Sequence, residues 1–409
     1  GLFDEIYPLG KTCNTSSIWE NGKFTSRQSH WWDNLQGCFH KHFLMLGQSH
    51  IEKLLDSKLR EISHPVQRKT TLTDIQVTQN HCLTTLSSGE IIKSNYIIGA
   101  DGSHSFVRNH FHVGFEITRP QITWAVIDAE IETTFNKVPE IIVFQAETSD
   151  VAWIPREGSI DRFYIRMDRK DFSIEECLEK INHAMTPHTL SITKLEWFSQ
   201  FTVKESVAES FNIQNCVFLA GDACHIHSVN GGQGLNTGLA DAFNLIWKLA
   251  HKLKYQTKNN LLQSYEDERK SVAQSVINTS GELVRSTKYS KQGTHAKDYV
   301  RLVEKKSGNI TGMGIQYNNN LPDESGERLH DIAVFKNGKE LRLYQLLNYS
   351  SYWLINFSDK KYKHSSLKNT QQIMISMENK NNEYWSPDRK YKNKVLLVRP
   401  DSYIEKVYS

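Results

Sequence analysis

The chain has 409 residues with 49 basic and 46 acidic side chains, a formal net charge of +3. That length exceeds what a single hydrophobic core usually organises, so two or three domains are predicted, and the balanced charge excludes a whole-molecule bias toward nucleic acid or anionic membrane. No apolar segment approaches the roughly 20 residues that span a bilayer, and the first residues lack the basic and apolar regions of a signal peptide, so a cytoplasmic protein is expected.

Taken in chain order, the first unit with chemical content is YIIGADGSHSFVR, Tyr96 to Arg108: an apolar strand that breaks at a Gly and an Asp and leads into a helix. Alone, such a corner is an ordinary strand-to-helix turn with an Asp cap. Next come QITWAVIDAEI, Gln121 to Ile131, and RFYIRM, Arg162 to Met167. These are β-branched, aromatic and partly alternating, the pattern of an antiparallel sheet covering a pocket. Arg162 and Tyr164 are two apart and share a strand face, so both side chains can enter one cavity.

The densest unit is CVFLAGDACHIHSVNGGQGLNTGLADAFNLIWKL, Cys216 to Leu249. Val217 to Ala220 form an apolar run suited to a buried parallel strand, and Gly221 and Asp222 end it. A carboxylate at the carboxyl end of such a strand lies where open α/β sheets bind ligands and accepts hydrogen bonds from sugar or ribityl hydroxyls. Gly231, Gly232 and Gly234 let the backbone approach a ligand closely. From Leu235, the residues Leu239, Ala242, Phe243, Ile246, Leu249, Ala250 and Leu253 recur at helical spacing and predict one buried stripe. The amino terminus of that helix, with Asn236 in its first turn, then offers N–H groups and a positive dipole end to an anion.

His225 and His227 have no Cys or carboxylate cluster to complete a metal site, which predicts a structural role and no metal. The six cysteines (Cys13, Cys38, Cys82, Cys177, Cys216, Cys224) include no CxxC, which predicts reduced thiols. Beyond Asn318, LPDESGERLHDIAV leads to an apolar strand, YWLINF at Tyr352 to Phe357, and a final VLLVRPDSYIEKV; Asn369 to Asn393 reads as a polar loop or insertion, and Lys360, Lys361 and Lys363 as solvated surface.

The two Gly-Asp units, in this order, resemble the internal fingerprints of the class A flavoprotein aromatic hydroxylases, the family of para-hydroxybenzoate hydroxylase and phenol hydroxylase. The similarity extends over most of residues 40 to 285: Gln48 and Glu52 in LGQSHIEKLL match the family's glutamine and glutamate, and Tyr265, Glu268 and Arg269 in LQSYEDERKSVA match the segment after the second fingerprint. The resemblance implies an α/β fold in which a Rossmann-like FAD-binding domain (residues 1–117 and 204–300) holds an inserted antiparallel β substrate domain (118–203) and is followed by a thioredoxin-like domain (320–409). It implies FAD with NADPH or NADH as reductant, a small aromatic substrate hydroxylated through a flavin hydroperoxide, and a possible homodimer. Asp222, with Gly221, would hold the ribityl chain; Gly232, Gly234, Leu235 and Asn236 would face the flavin ring; Gln48 would approach the flavin; Asp101, Gly102 and Arg108 would serve both flavin and nicotinamide dinucleotide.

The stretch IPREGSIDRFYIRM resembles the part of phenol hydroxylase-like members where an arginine and a tyrosine lie over the flavin, which makes Arg162 and Tyr164 the catalytic candidates. An exposed arginine beside a core tyrosine is the equal alternative. Departures from the family are Val229 in place of a common proline, Ser206 in place of a common arginine and Ser271 in place of a common proline. No strand followed by GxGxxG occurs; the family reaches a segment like Gly1 to Gly10 only after that unit, so the chain is expected to lack it. A flavin-less binding module and a monooxygenase of non-aromatic or polyketide substrates are the competing expectations.

Overall fold

The apolar runs before the two Gly-Asp turns are each too short to bury themselves, and they pair with one another. The computed structural model describes residues 1–29, 32–33, 35–79, 81–117, 122–145, 150–167, 169–203, 205–227, 232–257, 260–285, 296–317, 322–358, 362, 369–379 and 383–408. In it, Ile97–Gly99 and Val217–Leu219 are adjacent parallel strands, with Ile97 opposite Val217 and Gly99 opposite Leu219. The Ala220 amide extends the ladder by donating to the Gly99 carbonyl at 3.0 Å. Val217, Phe218 and Leu219 are fully buried, as in a strand covered on both faces. They share one core with Ile75 and Cys82 of a three-stranded meander and with Leu245, Leu249, Leu262 and Tyr265 of two long helices, Gly234–Tyr255 and Asn260–Arg285.

A second sheet has seven strands in the order Leu190–Val203, Ile122–Thr133, Asp161–Met167, Asp150–Pro155, Ile141–Gln145, Thr15–Glu20 and Lys23–Ser29. All neighbours are antiparallel except Ile141–Gln145 and Thr15–Glu20. Strands from both sides of residue 118 therefore build it. One face carries Ala125, Ile127, Phe163, Ile165 and Trp153 and packs on Cys177, Ile181, Ala184 and Met185 of the helix Ile174–Met185. That helix starts with a capping box in which Ser173 and Glu176 satisfy each other's backbone N–H groups. Period-two alternation sends Asp128, Arg162 and Tyr164 to the opposite face.

The carboxyl-terminal sheet also has seven strands, ordered Lys339–Arg342, Ala333–Lys336, Tyr384–Trp385, Thr370–Ser376, Tyr352–Asn356, Val395–Val398 and Ile404–Tyr408. Asn369 to Asn393, expected to be a polar loop or insertion, supplies two of these strands. In Thr370–Ser376 only Ile375 and Ser376 are buried while both glutamines and Met374 are exposed, so the strand reads as polar.

The face of the Gly234–Tyr255 helix differs from expectation too. Leu239, Phe243, Ile246 and Leu253 are 44%, 43%, 49% and 56% exposed. The buried face holds Thr237, Asp241, Asn244, Leu245, Lys248, Leu249 and His251. Asp241, Asn244 and Lys248 point inward there because each has a side-chain partner on another element: Arg269, Glu268 or Asp401.

Candidate active site

Gly102 adopts a left-handed φ of 82° and turns the chain after Asp101. The Asp101 carboxylate accepts hydrogen bonds from Ser105 Oγ at 2.5 Å and from the Val107 amide at 3.0 Å, so it caps the short helix Phe106–His110. Arg108 is 4% exposed and joins the two fingerprints: Nη1 donates to the Ala223 carbonyl at 3.1 Å and Nη2 to the Ser103 carbonyl at 2.8 Å. Its guanidinium lies 3.9 Å from the centre of the Phe115 ring. Burial pulls its pKa down against the attraction of Asp101, and its Nε has no partner among the described residues.

The second turn is held more tightly. Gly221 has a φ of 61°, a conformation that strains any other residue. Its amide donates to Asp241 Oδ2 at 3.1 Å, and the same carboxylate takes His225 Nε2 at 2.6 Å and Arg269 Nε at 2.6 Å. Asp241 is wholly buried; burial raises its pKa, and Arg269 and His225 reverse that and hold it below the ordinary value. Tyr265 donates to the Leu219 carbonyl at 2.6 Å. A side chain on Gly238 would come 3.4 Å from the Gly221 Cα, so the helix lies directly on the turn.

Asp101 and Asp222 thus follow the carboxyl ends of adjacent parallel strands. Asp222 is exposed and makes no hydrogen bond among the described residues. Gly232 is exposed with a φ of 60° and its carbonyl accepts from Asn236 Nδ2 at 3.2 Å. Gly234 opens a 22-residue helix with no side-chain cap, and Leu235 is half-buried in its first turn. Gln233, 3% exposed, presents a buried side-chain N–H with no partner among the described residues. Gly231 and Val229 lie outside the described residues. An unengaged carboxylate, an uncapped helix terminus and a buried spare amide form a donor and acceptor set that fits the ribityl hydroxyls and the polar edge of a flavin.

Arg162 and Tyr164 lie on the second sheet. Arg162 donates from Nε and Nη2 to Asp128 Oδ1 and Oδ2 at 2.6 and 2.7 Å, and from Nη1 to the Tyr164 hydroxyl at 3.3 Å. Asp128, 3% exposed, also pairs with Arg156, which pairs in turn with Glu157. Glu157 accepts from the Gly47 amide at 3.0 Å and approaches His50 Nε2 at 3.2 Å. Gln48 follows Gly47 as the exposed first residue of the helix Gln48–Glu61. A hydrogen-bonded chain therefore runs from the start of that helix to Tyr164. Burial works against the Arg162 charge, but the Asp128 carboxylate more than offsets it and raises the pKa.

The structure therefore sorts the sequence-predicted residues into two groups, one around the paired turns and one comprising Gln48, Arg162 and Tyr164. Asp241, Gln233, Asp128, Arg156 and Glu157 escaped sequence reasoning; the available signals were carboxylates inside otherwise apolar stretches, ADAF and VIDAE. Ser206, in place of a common arginine, is fully buried with an unpartnered hydroxyl among the described residues. Glu52 is on the helix surface, 3.9 Å from Arg68. Among the described residues no helix is long and apolar enough to cross a membrane, and no cluster of His, Cys, Asp and Glu could hold a metal ion.

A family model described as an FAD binding domain matches residues 1–280. The chain belongs to this FAD-binding family. Curated relatives of the flavoprotein include the phenol 2-monooxygenase fsqG of Aspergillus fumigatus, 30% identical over 274 residues that make up 64% of this chain and 46% of that protein. The 3-hydroxybenzoate 4-monooxygenase of Comamonas testosteroni is 29% identical over 254 residues, 56% of this chain and 40% of the relative. Together they show the class A FAD-dependent aromatic hydroxylase branch of the family. The chain spans about half the length of these curated relatives, 46% and 40%. Among solved structures, the flavin-dependent monooxygenase PieE, in complex with FAD and substrate, superposes on the flavoprotein with a TM-score of 0.79 at 14% identity, over 100% of this chain and 86% of PieE. That likeness concerns the fold.

Proposed function

We propose that the protein is an FAD-dependent monooxygenase that hydroxylates a phenolic or other aromatic ring, with NADPH or NADH as reductant. The observation that carries this reading is the pairing of two Gly-Asp turns at the ends of adjacent parallel strands, one of them beside an uncapped 22-residue helix. Bound flavin supplies the hydride acceptance and oxygen activation that side chains lack.

The chain's own residues bind and orient. Asp222 accepts the ribityl hydroxyls, with Gly221 letting the backbone come close. The helix from Gly234, through Leu235 and Asn236, and Gly232 put positive partial charge beside the pyrimidine edge. Gln48 approaches from the neighbouring helix start, and Asp101, Gly102 and Arg108 fix the first turn. On the substrate sheet, Tyr164 positions the ring hydroxyl and relays its proton, and Arg162, locked by Asp128, holds the Tyr164 oxygen in place.

Domain limits at 1–117, 118–203, 204–300 and 320–409 belong to this reading, with Thr15–Glu20 and Lys23–Ser29 of the first segment joining the substrate sheet, as does a thioredoxin-like carboxyl-terminal domain. Support for the latter is the parallel pair Tyr352–Asn356 and Thr370–Ser376 flanked by antiparallel Val395–Val398 and Ile404–Tyr408. Cys224 is the last cysteine of the sequence, so residues 320–409 carry no thiol and that domain has a structural role. All six thiols are free, which favours a cytoplasmic setting.

The test is colour and turnover. Protein purified from its natural coding sequence is yellow with flavin absorbance and oxidises NADPH or NADH faster when phenols are added. Colourless protein that takes up no FAD overturns the proposal and leaves the binding-module alternative; yellow protein that responds only to non-aromatic compounds replaces the substrate.

A further inference from the structure

We propose that the exposed indole of Trp197 is a stacking wall for the substrate, and that the charge-balanced Arg162–Tyr164 site beside it takes an uncharged phenolic ring in preference to one bearing a carboxylate. This rests on the monooxygenase reading and names the substrate class for that site.

Trp197 is 47% exposed, although an indole is among the side chains that gain most from leaving water. A large aromatic left in water next to ordered polar groups is what a covering ligand explains. Its position is built. In the sheet register Asp128 faces Trp197 on one side and Arg162 on the other. Between Trp197 and Leu195 the extra residue Glu196 makes a bulge, since Asp128 pairs with Trp197 and Ala129 with Leu195. Bulges re-aim side chains beside active sites. The Arg162 guanidinium then lies 5.6 Å from the Trp197 ring and 5.8 Å from the Tyr164 ring, so one cation is flanked by two aromatic groups.

Charge accounting sets the substrate class. Arg156 and Arg162 bring two positive charges and Asp128 and Glu157 two negative ones, all four joined by hydrogen bonds. Both Asp128 oxygens already accept from Arg162. A ring carboxylate entering here loses its water and meets, in Arg156 and Arg162, two cations already paired with Asp128 and Glu157, which is a net cost. A phenol needs one hydrogen bond to Tyr164 and a flat surface, and Trp197 supplies the surface.

The experiment titrates three probes, phenol, 2-naphthol and 3-hydroxybenzoate, into the full protein, following tryptophan fluorescence and the absorbance of bound flavin. Stacking grows with ring area, so 2-naphthol binds at least about fivefold tighter than phenol, and 3-hydroxybenzoate at least about tenfold weaker than phenol. Trp197→Ala weakens 2-naphthol binding about tenfold with an unchanged melting temperature, and Trp197→Phe recovers most of it. Equal or tighter binding of 3-hydroxybenzoate, or unaltered 2-naphthol binding in Trp197→Ala, overturns the inference. Failure to take up FAD sinks the monooxygenase reading alone, because fluorescence still reports whether the rings bind and in which order; no binding of any ring overturns this proposal as well.

Discussion

Two aspartates at the second fingerprint have opposite electrostatic lives. Asp222 is exposed and unengaged among the described residues, whereas Asp241 is buried and satisfies Gly221, His225 and Arg269 together. Removing Asp222 therefore costs the fold little, within about 0.5 kcal/mol for a surface site. Asp222→Ala is expected to keep its melting temperature and lose flavin absorbance after gel filtration; full flavin retention would remove Asp222 from the site. Asp241→Ala leaves a buried guanidinium without its carboxylate, which costs about 3–5 kcal/mol. Urea unfolding measures it, and a loss below about 1 kcal/mol would mean that water replaces the carboxylate.

At the scale of elements, the Gly234–Tyr255 helix separates periodicity from burial. Ile246→Ser on its wet stripe is expected to change stability by less than about 0.5 kcal/mol, and Leu249→Ala on its dry face by about 2–5 kcal/mol; paired denaturation curves compare them. The strands, turns and helix starts of both fingerprints were legible because Gly and Asp interrupt apolar runs there. The dry face of the helix was not, since Asp241, Asn244 and Lys248 owe their burial to partners far along the chain: Arg269, Glu268 and Asp401. Arg162 and Tyr164 were legible as a same-face pair. Asp128, Arg156 and Glu157, which hold Arg162 and link it to Gly47, were hidden because a carboxylate in a strand carries no signature of its cross-strand partner. Gly47 is one place where backbone and side chain touch: a Cβ would lie 1.8 Å from Arg156 Nη2. Gly47→Ala is expected to displace Arg156 and cost about 1–3 kcal/mol, read as a lower melting temperature.

For the whole molecule, the carboxyl-terminal sheet is tied to the helix pair by buried charge. Arg399 donates to both Glu268 oxygens at 2.7 and 2.9 Å, Lys248 reaches Glu268 at 2.8 Å, and Asp401 accepts from Arg399 and Asn244. Burial alone would raise the Glu268 pKa, but Arg399 and Lys248 pull it from 4.5 to about 2. The unfolded chain then binds the proton first as pH falls, so this pairing stabilises the fold fully above the ordinary glutamate pKa. Its contribution, about 3 kcal/mol at most, fades from there down through the folded value. Acid titration of the wild type is expected to lower stability between roughly pH 4.5 and 2. In Glu268→Gln that part of the slope disappears, and an unchanged slope would locate acid sensitivity elsewhere.

The outward row of Leu239, Phe243, Ile246 and Leu253 also governs how the purified material behaves. Greasy ridges in contact with solvent attract one another, so self-association should grow with protein concentration and with sulfate, which strengthens apolar contacts, and recede in mild urea. Sedimentation velocity across a dilution series would show it, and rate assays belong at the dilute end of that series.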